Sequence, residues 1–509
     1  MFARVTSYGL DGVEPFEVSV EVSYTGGIPS FDLVGLPDAA VKESKERVRS
    51  ALANSGLRPS PGRVTVNLAP ASVKKYGSVY DLPIALAMLV GSGQLEAGAV
   101  AGMVFVGELA LDGSLRQAPG ALSGALFARE TGASALILPR DNAREVSCVD
   151  RVPLLAAASL REVVDHLAGR SRIEPLKPVP YESLRERASS DYDLKHVRGQ
   201  YEAKRVLEIM AAGGHNLLMV GPPGSGKTML ARCLPGILPD MSFEEALEVT
   251  RIHSAAGELR AGSAMLTERP FRAPHHSASA ASLVGGGRDA SPGEITFAHH
   301  GVLFLDELPE YAPHALDTLR QPLEDGFVSV TRAHARKVYP SRVMLAAAMN
   351  PCKCGYYGEE GGRCKCAPGD VKRYQNRISG PLLNRIDLRV RVGAVKVEDL
   401  SSAAPAAESS ARVRMRVQAA RERQRRRYAG SGIFTNAQLD SSMIGRLCPM
   451  SAEADDLLLA AAARFNMTPR PYFRIVRVAR TIADLAGEDL IGEEHVAEAV
   501  RYRAPDEDR

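Results

Sequence analysis

Residues 221–228, Gly-Pro-Pro-Gly-Ser-Gly-Lys-Thr, have the residue types and spacing of a phosphate-binding loop. An apolar, strand-like run (216–220) precedes them, and residues 229–232 can begin a helix. Glycines let backbone N–H groups close around phosphate oxygens, and the helix N-terminus adds its positive dipole end. A glycine-rich turn without function is the alternative, which the combination of strand, helix, Lys and Thr disfavours. The predicted nucleotide contacts are Gly221, Pro222, Pro223, Gly224, Ser225, Gly226, Lys227, Thr228 and Met229.

Two later segments supply polar groups that suit the same chemistry. Residues 302–305 are apolar and lead into Asp306 and Glu307, and a second apolar run, 343–349, ends at Asn350. We expect Thr228 and Asp306 to hold Mg²⁺, Glu307 to polarise the attacking water, and Asn350 to sense the γ-phosphate. Each run alone could be an ordinary buried strand with a polar end, but together they predict ATP hydrolysis.

Composition sets broad limits on the fold and its partners. The 509 residues are 45% hydrophobic and 24% charged, which is ordinary for soluble globular domains and enough for two to four of them. A net charge of +3 gives no general affinity for nucleic acid, so any such site must be local. The longest apolar run, Leu82–Val90, is too short to span a bilayer, and no signal-peptide pattern begins the chain. We therefore expect a cytoplasmic protein without membrane contact.

Changes in pattern along the chain indicate domain boundaries. Residues 1–168 alternate short strands and helices, 169–192 form a polar, Pro-containing linker, 193–395 repeat the strand–helix alternation of a parallel sheet, and 396–509 are helical. The overall fold class is therefore α/β.

Beyond the phosphate loop, several segments carry a resemblance to a known family. They are Val197–Gln200, Gly213–Asn216, Arg269–His276, Pro292–Ile295, Gly301–Glu307, Leu319–Glu324 and Ser379–Leu383. With these segments the chain resembles the ComM/YifB family of magnesium-chelatase-like AAA+ ATPases over almost its whole length. The resemblance implies an AAA+ P-loop α/β core, a C-terminal helical lid, and a homo-oligomeric, hexameric ring that binds ATP between subunits.

The same resemblance implies two arginine roles. The arginine that acts on a neighbour's ATP falls on Arg385, and the nucleotide-sensing lid arginine falls on Arg470, with Arg474 as the weaker candidate. The family usually has Asp before the first of these, where this chain has Asn384. A surface residue or a local salt bridge is the alternative for any single arginine.

For residues 1–168 the resemblance implies a Lon-protease-like (S5-like) α+β domain. Lon-type proteases use a Ser–Lys pair, and these positions fall on Asp81 and near Gly124. A carboxylate is a poor substitute for the nucleophile, and glycine cannot act as a base. A displaced pair, Ser78 with Lys74, is the weaker alternative, so we expect an inactive protease fold used for assembly or partner binding.

Four cysteines lie in a short loop, residues 352–366, that directly follows Asn350. They form two C-x-C pairs and could hold a structural Zn²⁺, although C-x-x-C spacing is more usual. The alternative is four reduced thiols in a surface loop. The four are Cys352, Cys354, Cys364 and Cys366.

A basic hairpin is predicted over residues 326–340. Apolar and polar residues alternate on both sides of a short turn, and Arg332, Arg336 and Lys337 could contact DNA phosphates. A solvated hairpin tip is the alternative. The segment from Arg412 to Arg427 also holds eight arginines, and Val413, Val417 and Ala420 share one helical face, which leaves the arginines outward. A solvated lid helix is favoured there over a DNA-facing one.

These features and the resemblance together favour an ATP-driven DNA motor. It would be a helicase or branch-migration factor that acts on branched or single-stranded DNA in recombination intermediates, in natural transformation. The alternatives are a magnesium-chelatase motor subunit, a Lon-like protease and a protein-remodelling AAA+ chaperone. The expected cofactors are ATP and Mg²⁺, with a structural Zn²⁺ if the cysteines bind metal.

Overall fold

The computed structural model describes residues 1–58, 62–185, 191–287, 290–332, 335–359, 363–394 and 407–503. It divides into two compact units, Met1–Glu186 with Phe243–Thr267, and Arg187–Ser242 with Glu268–Arg509. Within the described part, no helix is both long enough and apolar enough to cross a membrane.

The first unit is built on a mixed seven-stranded sheet with the order β3-β4-β2-β1-β5-β8-β9. The pairs β1/β2 and β2/β4 are antiparallel, and the remaining neighbours are parallel. In strand β4, Val64, Val66 and Leu68 alternate with more exposed residues, so these three apolar side chains all face the core. The strands are β1 Phe2–Asp11, β2 Glu14–Thr25, β3 Ser30–Val34, β4 Arg63–Ala69, β5 Met103–Phe105, β6 Glu108–Leu109, β7 Leu115–Arg116, β8 Ala135–Pro139 and β9 Leu154–Ala157.

Helices cover this sheet, and the most deeply buried of them is Asp81–Gly91. The predicted linker is partly ordered on this unit, because Leu176 N donates to Leu154 O at 2.8 Å and Val179 N to Ser147 O at 2.8 Å. The α-helices of the unit are Ala39–Lys42, Ser44–Asn54, Asp81–Gly91, Ala97–Val100, Ala121–Glu130, Ala143–Val146, Leu160–Leu167 and Phe243–Ala255. The last of these comes from residues that the sequence pattern assigned to the nucleotide-binding domain.

A parallel five-stranded sheet with the order β11-β14-β17-β10-β18 forms the centre of the second unit. Its inner strands are almost wholly buried, which explains their continuous apolar sequence. The strands are β10 Leu217–Val220, β11 Phe271–Arg272, β12 Gly285–Gly286, β13 Ser291–Pro292, β14 Val302–Leu305, β15 Phe327–Arg332, β16 Ala335–Pro340, β17 Met344–Met349 and β18 Leu388–Arg391. Strands β12/β13 and β15/β16 form separate antiparallel pairs.

One apolar core runs from this sheet into the C-terminal helices. Before residue 395 the described α-helices of this unit are Tyr201–Gly213, Lys227–Arg232, Leu234–Ile237, Ala280–Val284, Glu294–Phe297, Pro313–Asp317, Arg320–Asp325, Pro368–Gln375 and Gly380–Leu383. After residue 406 they are Ser410–Arg427, Ser441–Leu447, Ala452–Arg464, Pro469–Ala486 and Glu493–Arg501.

Asp81 is a buried ion-pair residue in the first unit. Its carboxylate accepts from Arg47 Nε at 2.7 Å and Arg47 Nη2 at 3.0 Å, and from Leu109 N at 3.2 Å. Burial raises the pKa of Asp81 to about 6, against the opposing effect of Arg47. A Cβ on Gly124 would lie 2.2 Å from the Tyr8 ring, so no lysine fits there without displacing that ring.

We expect Asp81→Ala to destabilise the first unit by about 3 kcal/mol, because it leaves the largely buried Arg47 without its bidentate partner. Hydrogen–deuterium exchange of peptides covering Asp81–Gly91 would report the local free energy of opening. Glu43→Ala is the control, because Glu43 is exposed and lies 3.9 Å from the same guanidinium; it should cost less than about 1 kcal/mol. Equal effects of the two substitutions would contradict a structural role for the Asp81 pair.

Candidate nucleotide site

The predicted phosphate loop connects the end of β10 to the helix Lys227–Arg232. Two glycines are required by its shape. Gly226 has φ +90°, and a Cβ on Gly221 would lie 2.0 Å from the carbonyl oxygen of Val392. The loop therefore passes close to the end of β18 and turns sharply into the helix.

Lys227 points back into the loop. Its Nζ donates to Gly221 O and Pro222 O, both at 2.8 Å, and lies 3.3 Å from Asn350 Oδ1. Burial lowers the pKa of Lys227, while the negative charges of Asp306 and Glu307 oppose that shift. The ammonium group is thus held where it can neutralise a bound anion.

The three parallel strands β10, β14 and β17 bring the other predicted residues to the same edge of the sheet. Thr228 Oγ1 donates to Asp306 Oδ2 at 2.7 Å, joining the loop to the end of β14. A hydroxyl beside a carboxylate is an oxygen donor set that suits Mg²⁺. Asn350 follows β17, and its side-chain oxygen reaches Lys227.

Glu307 adopts an unusual backbone conformation. Its φ is +50°, a left-handed value that is costly for a non-glycine residue, and its N–H donates to Asp306 Oδ1 at 2.9 Å. The side chain is 57% exposed, and Oε2 lies 3.4 Å from His276 Nδ1. The sequence pattern did not assign His276 a role at the site, because the Arg-Ala-Pro segment before the two histidines gave no signal of this contact.

Arg385 and Arg470 lie together at a different carboxylate. Arg385 Nη2 contacts Glu324 Oε2, and Arg470 Nη2 lies 3.4 Å from Glu324 Oε1. Among the described residues, the buried Nε of Arg385 has no hydrogen-bond partner. Arg474 is instead 3.6 Å from the buried Asp387, which favours Arg470 over Arg474 as the nucleotide-sensing candidate.

Four cysteine sulfurs converge in the loop after Asn350. The Sγ atoms of Cys352 and Cys354 are 3.3 Å apart, and those of Cys364 lie 3.7 and 3.6 Å from them. With Cys366, the four sulfurs lie within 4.8 Å of one another. Sulfurs bound tetrahedrally to zinc are about 3.8 Å apart, since the Zn–S bond is about 2.3 Å. The residues therefore fit a Zn²⁺ site.

The cysteine loop also touches the phosphate loop. A Cβ on Gly355 would lie 2.4 Å from Pro223 Cδ, so the backbone of the cysteine loop packs directly on the proline ring. Gly355 has φ +89°, which any larger residue would adopt only with strain. A change in the conformation of one loop should therefore alter the conformation of the other.

The family model described as "Magnesium chelatase, subunit ChlI" matches residues 193–400. "Subunit ChlI of Mg-chelatase" matches residues 20–142, and "Magnesium chelatase, subunit ChlI C-terminal" matches residues 407–503. The chain is 45% identical to the uncharacterized protein YifB of Escherichia coli over 97% of its own length and 96% of that protein's. It is 44% identical to the competence protein ComM of Haemophilus influenzae, covering 99% and 97% of the two chains.

The chain belongs to the ComM/YifB family of magnesium-chelatase-like proteins. A magnesium-chelatase 38 kDa subunit from Acidiphilium rubrum is more distant, at 25% identity over 60% of this chain and 87% of that protein. The similarity to YifB and ComM therefore covers the N-terminal, central and C-terminal parts of this chain.

In this ComM/YifB protein, the predicted basic segment forms a hairpin of β15 and β16. Val328 pairs with Tyr339 on its buried face, and Thr331 pairs with Arg336 on its exposed face. Lys337 pairs with Val330 and so lies on the packed face, while the side chain of Arg332 is outside the described part. Arg336 is therefore the predicted DNA contact that the register directs to solvent.

The arginine-rich helix Ser410–Arg427 buries Val413, Val417 and Ala420 as expected. The expectation that its arginines all point outward is wrong for Arg421, which is 3% exposed and donates to Ala211 O at 2.9 Å. The other seven also have partners within the unit. Their partners include Glu408 for Arg412, Asp240 for Arg414, Glu208 and Glu408 for Arg416, Asp489 for Arg423, Asp240 O for Arg425, Glu422 for Arg426 and Asp484 for Arg427.

Proposed function

We propose that this protein is an ATP-hydrolysing ring motor of the ComM/YifB type that acts on branched DNA in the cytoplasm. The observation that carries the ATPase part is the cluster at the carboxyl edge of the parallel sheet. Lys227, Thr228, Asp306, Glu307 and Asn350 meet there through contacts of 2.7 to 3.3 Å or through adjacent backbone positions. Open parallel sheets bind ligands at this edge.

In the proposed reaction, Lys227 neutralises the phosphate oxygens of ATP and Glu307 orients the attacking water. Bound Mg²⁺ would neutralise charge on the β- and γ-phosphates, with Thr228 and Asp306 as its protein contacts. Asn350 Oδ1 and the phosphate-loop carbonyl oxygens contact the same ammonium group, that of Lys227. The amide of Asn350 is therefore positioned to sense the γ-phosphate.

Arg385 and Arg470 are the two arginines that are proposed to act in the ring. In the proposed hexamer, Arg385 would face the ATP of a neighbouring subunit, and Arg470, which shares Glu324 with it, would be the nucleotide-sensing arginine. The Glu324 side chain is 48% exposed and the Arg470 side chain is 77% exposed, so the ion pair between these two residues is weak and open to exchange. The C-terminal helices would act as the lid that carries Arg470.

We expect Lys227→Ala to abolish ATP binding and Glu307→Gln to bind ATP but hydrolyse it at least about 100-fold more slowly. Fluorescent-nucleotide titration and phosphate release measure the two steps. Arg385→Ala should lower turnover on the order of 1000-fold while each subunit still binds nucleotide.

A subunit-mixing experiment separates a trans role from a local one. Rings that combine Arg385→Ala and Lys227→Ala subunits contain some interfaces with an intact arginine and an intact lysine, so they should regain part of the activity. Mixed rings that stay inactive would contradict the trans assignment, and wild-type turnover in Glu307→Gln would contradict the ATPase site itself.

DNA is proposed as the substrate because the family relative ComM is a competence protein and because the hairpin presents Arg336 to solvent. A phosphate contact gives salt-dependent, sequence-independent affinity. The hairpin leads through residues 341–343 into β17, which ends beside Asn350, so movement at the hairpin can follow the state of the nucleotide.

We expect the protein to migrate a synthetic Holliday junction with ATP and Mg²⁺, and Glu307→Gln to fail. Arg336→Ala should weaken junction binding and reduce the slope of log affinity against log salt by about one, with basal ATPase retained. Arg336→Lys keeps the charge and is the control. If an assembled, ATPase-active ring neither migrates the junction nor responds to DNA, the motor assignment fails and a protein-remodelling role takes its place.

The N-terminal unit is proposed to be a Lon-like fold without protease activity. The two expected catalytic positions hold Asp81, which is paired with Arg47, and Gly124, which packs against Tyr8. In the displaced alternative, Ser78 Oγ contacts Glu108, and Lys74 Nζ lies 4.6 Å from the centre of the Tyr76 ring. A role in assembly or partner binding fits these contacts better than hydrolysis does.

Zn²⁺ is the metal proposed for the four cysteines, since their sulfur spacing fits tetrahedral coordination and leaves no open position for catalysis. Its effect would be structural. By fixing the backbone at Gly355, a bound metal would support Pro223 and hence the phosphate loop.

We expect elemental analysis to find about one zinc per chain. Cys364→Ser/Cys366→Ser should lose the metal and raise the Kd for ATP, because the loop no longer supports Pro223. Cys148→Ser, a thiol of the other unit, is the control and should keep both properties. A stable, metal-free wild-type protein would show instead that the cysteines are reduced thiols.

A further inference from the structure

We propose that Cys354 and Cys364 form an oxidation site, at which a peroxide joins the two thiols in a disulfide and weakens ATP binding at the phosphate loop. This role rests on the proposed ATP site and on the proposed zinc site. Two observations suggest it. The two sulfurs are 3.6 Å apart, and Gly355, the residue after Cys354, packs directly on the phosphate loop.

The exposure of the four cysteines selects this pair. Cys354, Cys364 and Cys366 are partly exposed, whereas Cys352 is fully buried. The sulfur of Cys352 lies 3.3 Å from that of Cys354 and 3.7 Å from that of Cys364, but burial shields it from solvent. Of these three contacts, the one between Cys354 and Cys364 is therefore the one that joins two residues open to a dissolved oxidant. Solvent access and a nearby second cysteine are the features of cysteines that sense oxidants.

The form of sulfur that binds a metal is also the form that reacts with peroxide. Zinc binds cysteine as the thiolate, and the thiolate is the nucleophile in cysteine oxidation. The residues that fit a structural metal site are thus reactive wherever solvent reaches them. A site closed to substrates can therefore still respond to a small oxidant.

The reaction is a two-electron oxidation of sulfur by hydrogen peroxide. The Cys354 thiolate attacks one oxygen of the peroxide, which breaks the O–O bond, forms a sulfenic acid and releases hydroxide. The Cys364 thiolate then attacks the sulfur of this sulfenic acid, forms the S–S bond and releases a second hydroxide. The two thiolates together lose two electrons, and the peroxide takes them up. The oxidised pair no longer supplies thiolates, and two cysteines alone do not make the four-ligand set of a structural zinc site.

A tight turn connects the oxidation site to the phosphate loop. Gly355 N donates to Cys352 O at 3.0 Å, so Cys354 lies inside a four-residue turn. Gly355 has φ +89° and packs on the ring of Pro223. Drawing the sulfur of Cys354 to bonding distance of Cys364 therefore displaces the backbone that supports Pro223.

The start of the cysteine loop is anchored and does not take up this movement. Pro351 O accepts from Gln375 Nε2 at 3.0 Å, and Met349 O accepts from Gly221 N at 3.2 Å. These bonds fix the end of β17 and the first residue of the phosphate loop. The displacement therefore passes to the side of the turn that supports Pro223.

A shift of Pro223 reaches Lys227 through one peptide group. Lys227 Nζ donates to Pro222 O at 2.8 Å, and this carbonyl belongs to the peptide bond that joins Pro222 to Pro223. Moving the ring of Pro223 therefore moves an oxygen that positions the ammonium group. Small errors in the placement of groups that hold a substrate are costly. Oxidation should thus weaken ATP binding, and reduction by a thiol should restore it.

The test treats the full-length protein with hydrogen peroxide. A chromophoric chelator follows released zinc, free thiols are counted, and the Kd for a fluorescent ATP analogue is measured before and after treatment. Trypsin then identifies the bond, because Lys353, Arg363 and Lys365 separate the four cysteines and place each of them on its own peptide. Mass spectrometry of the unreduced digest reads the pairing directly.

We expect peroxide to join Cys354 to Cys364, to release zinc and to raise the Kd for ATP on the order of tenfold. Dithiothreitol with added zinc should restore the Kd, which also excludes oxidation of Met229, because dithiothreitol does not reduce methionine sulfoxide under these conditions. Cys148→Ser is the control and should respond as wild type does. Cys354→Ser/Cys364→Ser lacks both reacting sulfurs, so peroxide should leave its Kd unchanged.

Three results would overturn the oxidation site. They are a disulfide at a different pair, a Cys354–Cys364 disulfide that leaves the Kd of the wild type unchanged, and a rise in Kd that persists in Cys354→Ser/Cys364→Ser. The first two are measured on the wild type, so they decide the matter even if the double variant does not fold.

Two further measurements separate this site from the proposed function. A wild type that holds no zinc, yet forms the disulfide and shows the rise in Kd, would refute the metal and support the oxidation site. If Lys227→Ala binds ATP as tightly as wild type, the phosphate loop is assigned wrongly and its coupling to the cysteines fails too. If Lys227→Ala loses ATP while oxidised wild type keeps its Kd, the oxidation site alone is wrong.

Discussion

The side chain of Asn216 fixes the register of three neighbouring strands, and the arrangement of the site depends on it. Its Oδ1 accepts from Leu345 N at 2.8 Å at the start of β17, and its Nδ2 donates to Arg385 O at 2.8 Å just before β18. Its own N–H donates to Asp387 Oδ2 at 3.0 Å, and β10 begins at the next residue. Loss of these bonds would leave buried backbone groups unpaired, which costs about 1–3 kcal/mol for each.

The same network reaches the C-terminal helices. Asp387 also lies 3.6 Å from Arg474, and His215 Nε2 bonds Thr481 Oγ1 at 2.8 Å, both on the helix Pro469–Ala486. Burial acts to raise the pKa of Asp387, but His215, whose Nδ1 lies 3.7 Å from Asp387 Oδ2, the bond from Asn216 N and the nearby Arg474 hold it at about 2. Because Arg470 lies in the first turn of that helix, one buried network connects the base of the phosphate-loop strand to the helix that carries the proposed sensor.

The parts of the site that sequence predicts are those that local patterns encode. The loop from Gly221 to Thr228 needs glycines for close packing, and Asp306, Glu307 and Asn350 directly follow apolar strands. Each of these features can therefore be recognised from a few neighbouring residues in the sequence. Glu324 and His276 were not predicted as partners, because their contacts join positions that are distant in the chain. The helix Phe243–Ala255 lies within the predicted segment 193–395 but packs in the first unit, because a helical pattern does not encode which core receives its apolar face.

The positions of Arg385 and Arg470 relate the fold of one chain to the proposed ring. In one chain, Glu324 neutralises Arg385 and contacts Arg470, yet the Nε of Arg385 stays buried without a partner in the described part. An unpaired buried donor is costly, and the exposed pairing of Arg470 with Glu324 is worth less than about 1 kcal/mol. A phosphate from a neighbouring subunit would offer both arginines a more strongly charged acceptor at little cost. In the proposed ring, Glu324 therefore serves as an exchangeable partner that keeps the two guanidinium groups together until nucleotide at the interface replaces it.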